Sequence, residues 1–198
     1  MAKQIRPASF KRYGPREEAA TGEFAPGDFI LTHSRGVFGK LIRFGESIRY
    51  WGTDRKYTRW NHAALVVGSD GALVEALSGG VTNSNLAKYR DTEYHVVRLN
   101  PEDADSRDRA QAVAFAVWAV GDPYGWLTIL NIGLALVTGC RFTFGIDGQM
   151  ICSGLVARSL ERTSVIFDGA PSNLSPADLA KQFEVEPPAK GTPIGTAA

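Results

Sequence analysis

The stretch "HAALVVGSDGALVEAL", residues 62–77, decides the fold, because two apolar runs flank a short Gly-Ser-Asp-Gly segment. Asp and Gly adopt the backbone angles that a tight turn requires, so the pattern predicts a β-hairpin. Side chains alternate between the two faces of a strand. A register that pairs Val67 with Ala72 therefore places His62 and Glu75 side by side on one face of the sheet.

Strands and helices on both sides of this hairpin predict an α+β domain. The apolar runs that follow turn residues indicate strands, and the runs with helical spacing indicate helices. In chain order, we expect a strand in "EFAPGDFILTHS" (23–34), an amphipathic helix in "VFGKLIRFGESIRYWG" (37–52), the hairpin, a strand in "YHVVRL" (94–99), a helix opened by Asn100 and Pro101 and closed by Gly121, an apolar helix after Trp126, a helix near Cys152, and a short helix opened by Ser175 and Pro176.

A thiol stands at the start of one predicted helix, in "MICSGLVARSL" (150–160). Unpaired N–H groups and the macrodipole at a helix start favour a thiolate, and one such N–H could bind a developing oxyanion. A thiol nucleophile also needs an imidazole as base and a polar group that orients it. Cys152, His62 and Glu75 are therefore candidates for these three roles. The alternative is that Cys152 is a small buried hydrophobic residue.

Composition argues against several other classes of protein. The chain has 22 Lys and Arg against 21 Asp and Glu, so no global field indicates a nucleic acid partner. It has two cysteines, Cys140 and Cys152, with neither a C-x-x-C pair nor a zinc-like spacing to its histidines. We therefore expect reduced thiols, no metal and no cofactor. The sequence does not indicate an oligomeric state.

The two ends of the chain differ from the middle in composition. The basic residues near the start and the Pro-, Gly- and Thr-rich end predict a mobile arm over residues 1–22, a domain over 23–186 and a disordered tail over 187–198. The uncharged run "WLTILNIGLALVTGC" (126–140) is about 15 residues long, short of the roughly 20 that a spanning helix needs. With no secretory signal pattern, we expect a cytoplasmic protein, or one delivered by lysis or within a virion.

Four short motifs resemble one enzyme family. "CSGLV" (152–156) resembles the nucleophile motif of the NlpC-type papain-like cell-wall peptidases, and "HAALVVGSDGALVEA" (62–76) resembles their histidine strand and the hairpin with their third polar residue. "GDPYGW" (121–126) and "APGDFIL" (25–31) resemble their tyrosine and Pro-Gly-Asp motifs. Histidine precedes cysteine here, which resembles the circularly permuted branch of YiiX- and YaeF-like proteins, relatives of the lecithin:retinol acyltransferases.

The resemblance implies a papain-like fold, with an antiparallel sheet or partial barrel packed on the helix that begins at Cys152. It implies that Cys152 is the nucleophile, His62 the base and Glu75 the orienting residue. It also implies that Tyr124 and Ser153 contribute to oxyanion or substrate binding, with the Cys152 N–H in the oxyanion hole.

The expected function is that of a cysteine hydrolase that forms a thioester at Cys152. An amide such as a wall-peptide bond is favoured as substrate over a lipid ester, and transfer to an acceptor other than water stays open. The basic, aromatic segment Arg35–Trp60 could bind an anionic or lipidic substrate or contact a membrane surface peripherally, although ordinary packing is favoured. A non-enzymatic binding or virion assembly protein with the same fold is the alternative from another class, and a nucleic-acid binder ranks third.

Overall fold

The computed structural model describes residues 7–33, 50, 52–125, 150–163, 167, 170–171 and 174–187. Several features predicted above lie outside these residues: the helix over 37–52 except Tyr50 and Gly52, most of the segment Arg35–Trp60, the apolar run 126–140 with Cys140, and the tail after residue 187.

The described chain forms an α+β structure, as the sequence predicts. The strands are β1 (Pro7–Tyr13), β2 (Phe29–Thr32), β3 (His62–Val66), β4 (Ala72–Leu77), β5 (Gly80–Asn85) and β6 (Tyr94–Leu99). The α-helices are α1 (Ser106–Trp118), α2 (Cys152–Leu160) and α3 (Pro176–Gln182), and 3₁₀ helices cover Gly52–Arg59, Leu86–Tyr89 and Glu161–Thr163. Among these helices of the described chain, none combines the length and apolar character needed to cross a membrane.

All six strands belong to one sheet in the order β1-β6-β2-β3-β4-β5. Every neighbouring pair in this order is antiparallel. The sheet is open, with β1 and β5 at its edges. Of the two predicted forms, an antiparallel sheet and a partial barrel, the structure therefore has the open sheet.

The start of the chain corrects one prediction. Residues 7–13 were expected within a mobile arm, but they form β1, which pairs with β6 from Pro7↔Leu99 to Tyr13↔Tyr94. The Tyr13 ring is buried and stacks on the Tyr94 ring with 4.9 Å between centroids. The segment is ordered because it pairs with the edge of β6 and buries this aromatic ring. Its basic residues alone do not predict this pairing.

The two faces of the sheet have separate cores. One face carries Ala63, Leu65 and Val74, which pack with the side chains of α2 and α3. The opposite face carries Ala64, Val66 and Leu73, which pack with residues of the 3₁₀ helix Leu86–Tyr89 and of the segment before β2. Alternation along β3 therefore places neighbouring residues in different cores.

The helix after β6 begins later than the sequence predicts. Asn100 and Pro101 precede a turn in which the Asn100 carbonyl accepts from Asp103 and Ala104, and α1 begins only at Ser106. The Asp105 side chain caps the helix by accepting from the first-turn amides of Arg107 and Asp108. The prediction is wrong because Asp105, an N-cap residue comparable to Asn100, caps the helix five positions downstream. The opening of α3 by Ser175 and Pro176 is confirmed, with a capping box to Asp178.

Asp28 connects three parts of the domain. Its carboxylate is fully buried, and Oδ1 accepts from the Leu99 amide at 3.0 Å and from Arg109 Nη1 at 2.8 Å. Its Oδ2 accepts from the Ala25 amide at 2.8 Å. The Pro-Gly-Asp turn, the end of β6 and helix α1 are therefore held by one buried charge, which places Asp28 in a structural role.

Replacing Asp28 with alanine should lower the free energy of unfolding by about 3–5 kcal/mol, because the Arg109 guanidinium, which is mostly buried, loses the carboxylate that balances its charge. The matched control is Asp54→Ala, since Asp54 pairs with Lys181 at the surface, where an ion pair contributes less than about 1 kcal/mol. Urea unfolding followed by circular dichroism measures both. Equal losses in the two variants would contradict the structural role of Asp28.

Candidate active site

Cys152 occupies the first position of α2, as the sequence predicts. Its side chain is buried, and the preceding residue, Ile151, has extended backbone angles and provides no side-chain cap. The first-turn N–H groups of α2 therefore depend on partners other than a cap at Ile151. Their partial positive charge favours a thiolate at Cys152 over a thiol.

The hydrogen-bonded ladder between β3 and β4 ends before it reaches His62. The two strands pair at Val66↔Leu73 and Leu65↔Val74, in the predicted register, and the ladder goes no further. β3 stays paired with β2 as far as His62, and β4 stays paired with β5 over its whole length. The prediction that the hairpin continues to His62 is therefore wrong, although its register at the turn is right.

This opening gives the Ala63 amide a different partner. Along an antiparallel strand, successive N–H groups point to opposite neighbours. Val66 donates to Asp28 on the β2 side and Val67 donates to Ala72 on the β4 side, so the Ala63 N–H points toward β4. The Ala63 amide donates to the Cys152 sulfur, which takes the place of a β4 carbonyl. The amide of Ser153 donates to the same sulfur.

His62 lies between the thiol and a carboxylate. Its Nε2 is 2.7 Å from Glu75 Oε2, and its ring is hydrogen-bonded to Cys152. Since Nε2 is bonded to Glu75, Nδ1 is the ring nitrogen left for the sulfur. The side-by-side placement of His62 and Glu75 predicted from the hairpin is thus present, and both side chains are buried.

The electrostatics of the three groups favour a charge-separated pair. Burial alone would raise the pKa of the Cys152 thiol, but the hydrogen bond and charge of His62 and the two amides outweigh burial and lower that pKa. Burial would likewise lower the pKa of His62, but Cys152 and Glu75 outweigh it and raise the pKa to about 9. Despite burial, His62 and Lys88 lower the pKa of Glu75. The three shifts together favour a thiolate at Cys152, an imidazolium at His62 and an ionised Glu75.

The residues implied as oxyanion or substrate groups have different surroundings. Tyr124 is buried, and its backbone forms a bridge with Met150, two residues before Cys152. Burial and then the charge of Cys152 raise the pKa of Tyr124, so its hydroxyl stays protonated and able to donate. The Ser153 hydroxyl instead donates to the Leu174 carbonyl, so only the amide of Ser153 contacts the sulfur.

Three groups at the site were missed by sequence analysis: Lys88, Tyr89 and the amide of Ala63. Lys88 Nζ lies 2.7 Å from Glu75 Oε1, and the Tyr89 hydroxyl donates to Glu75 Oε2. The pair Gly79-Gly80 is a turn signal that could have predicted β5 beside β4. The position of Lys88 and Tyr89 over Glu75 depends on how the chain continues after β5, for which we find no sequence signal.

The donor set suits acyl transfer better than metal binding. Across the residues described, no group of three or more His, Cys, Asp or Glu side chains is arranged to hold a metal ion. A thiolate beside an imidazolium, with an oriented carboxylate and several N–H donors, can attack a carbonyl and return a proton to the leaving group.

The comparisons with known proteins are sparse. No protein-family model matches the chain. Over 189 aligned residues, the chain is 25% identical to the D-(-)-3-hydroxybutyrate oligomer hydrolase of Paraburkholderia xenovorans (strain LB400). The match covers 82% of this chain and 26% of that protein, so the chain spans only about a quarter of the length of its relative.

Proposed function

We propose that this protein is a cysteine-dependent hydrolase in which Cys152 forms a thioester, His62 transfers protons and Glu75 orients His62. The observation that carries the proposal is the position of the His62 ring, which interacts with Cys152 while its Nε2 lies 2.7 Å from Glu75 Oε2. A nucleophile, a base and an orienting group in this order are the parts that thiol catalysis needs. We also propose that the fold is the permuted papain-like fold that the sequence motifs resemble.

In the first half of the reaction, the Cys152 thiolate attacks the carbonyl carbon of the substrate and a carbon–sulfur bond forms. The tetrahedral intermediate carries a negative oxygen, which N–H groups at the start of α2 and the Tyr124 hydroxyl stabilise. Imidazolium His62 then gives its proton to the leaving nitrogen or oxygen as the bond to carbon breaks. The products are a neutral His62, a thioester at Cys152 and the released amine or alcohol.

In the second half, neutral His62 removes a proton from water while the water oxygen attacks the thioester carbon. The carbon–sulfur bond breaks, the acid is released, and the thiolate and imidazolium pair forms again. Glu75 accepts a hydrogen bond from Nε2 throughout, so that Nδ1 keeps facing the sulfur.

The substrate favoured by the sequence motifs is an amide, such as a peptide bond of a cell-wall polymer. The similarity to a 3-hydroxybutyrate oligomer hydrolase favours a second candidate, an ester, because oligomers of a hydroxy acid are joined by ester bonds. Both substrates use the same thioester at Cys152. The relative rates on peptide amides and on hydroxybutyrate oligoesters, measured on one preparation, distinguish them.

The experiment that tests the proposal is trapping of the thioester. The wild-type protein is mixed with p-nitrophenyl esters of two to eight carbons, which need little specific binding, and its intact mass is measured within seconds. We expect one added acyl group, which neutral hydroxylamine removes, and release of p-nitrophenol beyond one equivalent. Folded protein that shows neither an adduct nor turnover with any ester would contradict the proposal and favour a non-enzymatic binding role.

A further inference from the structure

The carboxylate of Glu75 has more partners than orientation of a histidine requires. Its side chain is fully buried, and Oε2 accepts from both His62 Nε2 and the Tyr89 hydroxyl. Its Oε1 is paired with Lys88 Nζ at 2.7 Å. A single buried carboxylate is therefore held from three directions.

The two additional donors come from one short element. Lys88 and Tyr89 are consecutive residues of the 3₁₀ helix Leu86–Tyr89, which the Asn85 side chain caps by accepting from the Ala87 amide. The buried Leu86 anchors this element in the core opposite α2, and the Tyr89 ring is also buried. The Lys88 ammonium lies 5.4 Å from the centroid of the Tyr89 ring, while nearly half of the lysine side chain is exposed. The element thus presents a cation and a neutral donor to Glu75 together.

A count of charges shows why the cation matters. In the resting state proposed above, the thiolate, the imidazolium, Glu75 and Lys88 sum to zero. In the thioester state, Cys152 and His62 are both neutral, and the charge of Glu75 is balanced only by Lys88. An isolated carboxylate is costly to bury, so without Lys88 this state would lack its compensating charge.

We propose that Lys88 and Tyr89 are positioning residues that clamp Glu75, with Lys88 as the counter-charge that keeps Glu75 ionised while His62 is neutral. The inference rests on the proposed function, because only catalysis requires His62 to pass through its neutral form. The clamp also limits how strongly Glu75 holds the proton of His62, since its negative charge is shared among three donors.

The sign of the effect follows from the groups that face His62 and Glu75. Cys152 from α2, Glu75 from β4 and Tyr89 from the 3₁₀ helix face the His62 ring. Against the effect of burial, Ser84 from β5 also lowers the pKa of Glu75, and burial and then the charge of Cys152 raise the pKa of Tyr124. Lys88 carries a positive charge beside Glu75. Its removal leaves the carboxylate uncompensated, which favours the imidazolium and raises the pKa of His62.

The experiment measures the rate of iodoacetamide labelling of Cys152 from pH 5 to 11, resolved by peptide mass spectrometry. Labelling should rise in two steps, as the thiolate forms and as the imidazolium loses its proton. In Lys88→Met the upper step should move up by about 0.5–1 pH unit, a modest shift because the lysine is partly exposed. The shift should be absent in Lys88→Arg and in the surface control Lys181→Met.

Two further variants complete the test. Tyr89→Phe keeps the ring but removes the donor to Oε2, so its upper step should also move to higher pH. Lys88→Gln replaces Lys88→Met if the latter does not fold by circular dichroism. An upper step unchanged in Lys88→Met, or in Lys88→Gln where it stands in, would overturn the counter-charge role of Lys88, and an upper step unchanged in Tyr89→Phe would overturn the positioning role of Tyr89. A wild type that forms no acyl adduct overturns the proposed function, whereas an acylated wild type with an unchanged Lys88 variant overturns only the clamp.

Discussion

Replacing Cys152 with alanine should abolish both the acyl adduct and the turnover of p-nitrophenyl esters. The thiolate is the atom that forms the bond to the acyl group, and alanine offers no nucleophile in its place. Because alanine is smaller than cysteine and has the highest helix propensity, the substitution should leave α2 folded. Intact mass after ester treatment, together with p-nitrophenol release, measures the loss.

The matched control for this variant is the other cysteine. Cys140→Ala should keep the adduct and the turnover, because the proposed nucleophile is Cys152, whose thiol interacts with the His62 imidazole. Wild-type protein labelled with iodoacetamide near pH 6.5 should react faster at Cys152 than at Cys140, since the pKa of Cys152 is lowered. An adduct of equal yield in Cys152→Ala would place the nucleophile elsewhere and refute the assignment.

Removing the imidazole should have the second-largest effect. His62→Ala should lower ester turnover by about 10²- to 10⁴-fold, which is the usual contribution of a positioned general base. Acylation should continue slowly, because the start of α2 and the amides of Ala63 and Ser153 still favour the thiolate. Deacylation should suffer most, since no group remains to remove a proton from water. Burst kinetics with p-nitrophenyl esters separate the two steps.

Glu75→Gln is the comparison that separates base from orienting group. The carboxamide oxygen of glutamine can still accept from His62 Nε2, so the ring keeps an orienting partner while the negative charge is lost. We expect a smaller loss of turnover than in His62→Ala, with the fold retained by circular dichroism. Equal losses in the two folded variants would mean that the roles assigned to His62 and Glu75 must be reversed or merged.

Local sequence signals determined much of the fold. The Gly-Ser-Asp-Gly turn set the register of β3 against β4, because few residue types adopt its backbone angles. Ser175 and Pro176 determined the start of α3 through a capping box that involves only nearby residues. The helix at Cys152 was predictable for a similar reason, since an inward-facing apolar stripe follows the thiol.

Contacts between distant segments decided the features that were predicted wrongly or missed. The basic residues of β1 predict a solvated arm, but in the structure this segment pairs with the edge of β6. The start of α1 depended on competition between two capping candidates, which local patterns alone do not rank.

The candidate site divides in the same way. The sequence by itself determined which residues could serve as thiol, imidazole and carboxylate, because these chemical types stand at a helix start and on a hairpin. Only the tertiary structure decided that β3 and β4 separate beyond Leu65, that the Ala63 amide reaches the sulfur, and that Lys88 and Tyr89 hold Glu75. The physical reason is the sequence separation of the interacting groups. Turns and caps depend on neighbours in the chain, whereas the hydrogen-bond donors to a buried carboxylate come from segments that only tertiary packing brings together.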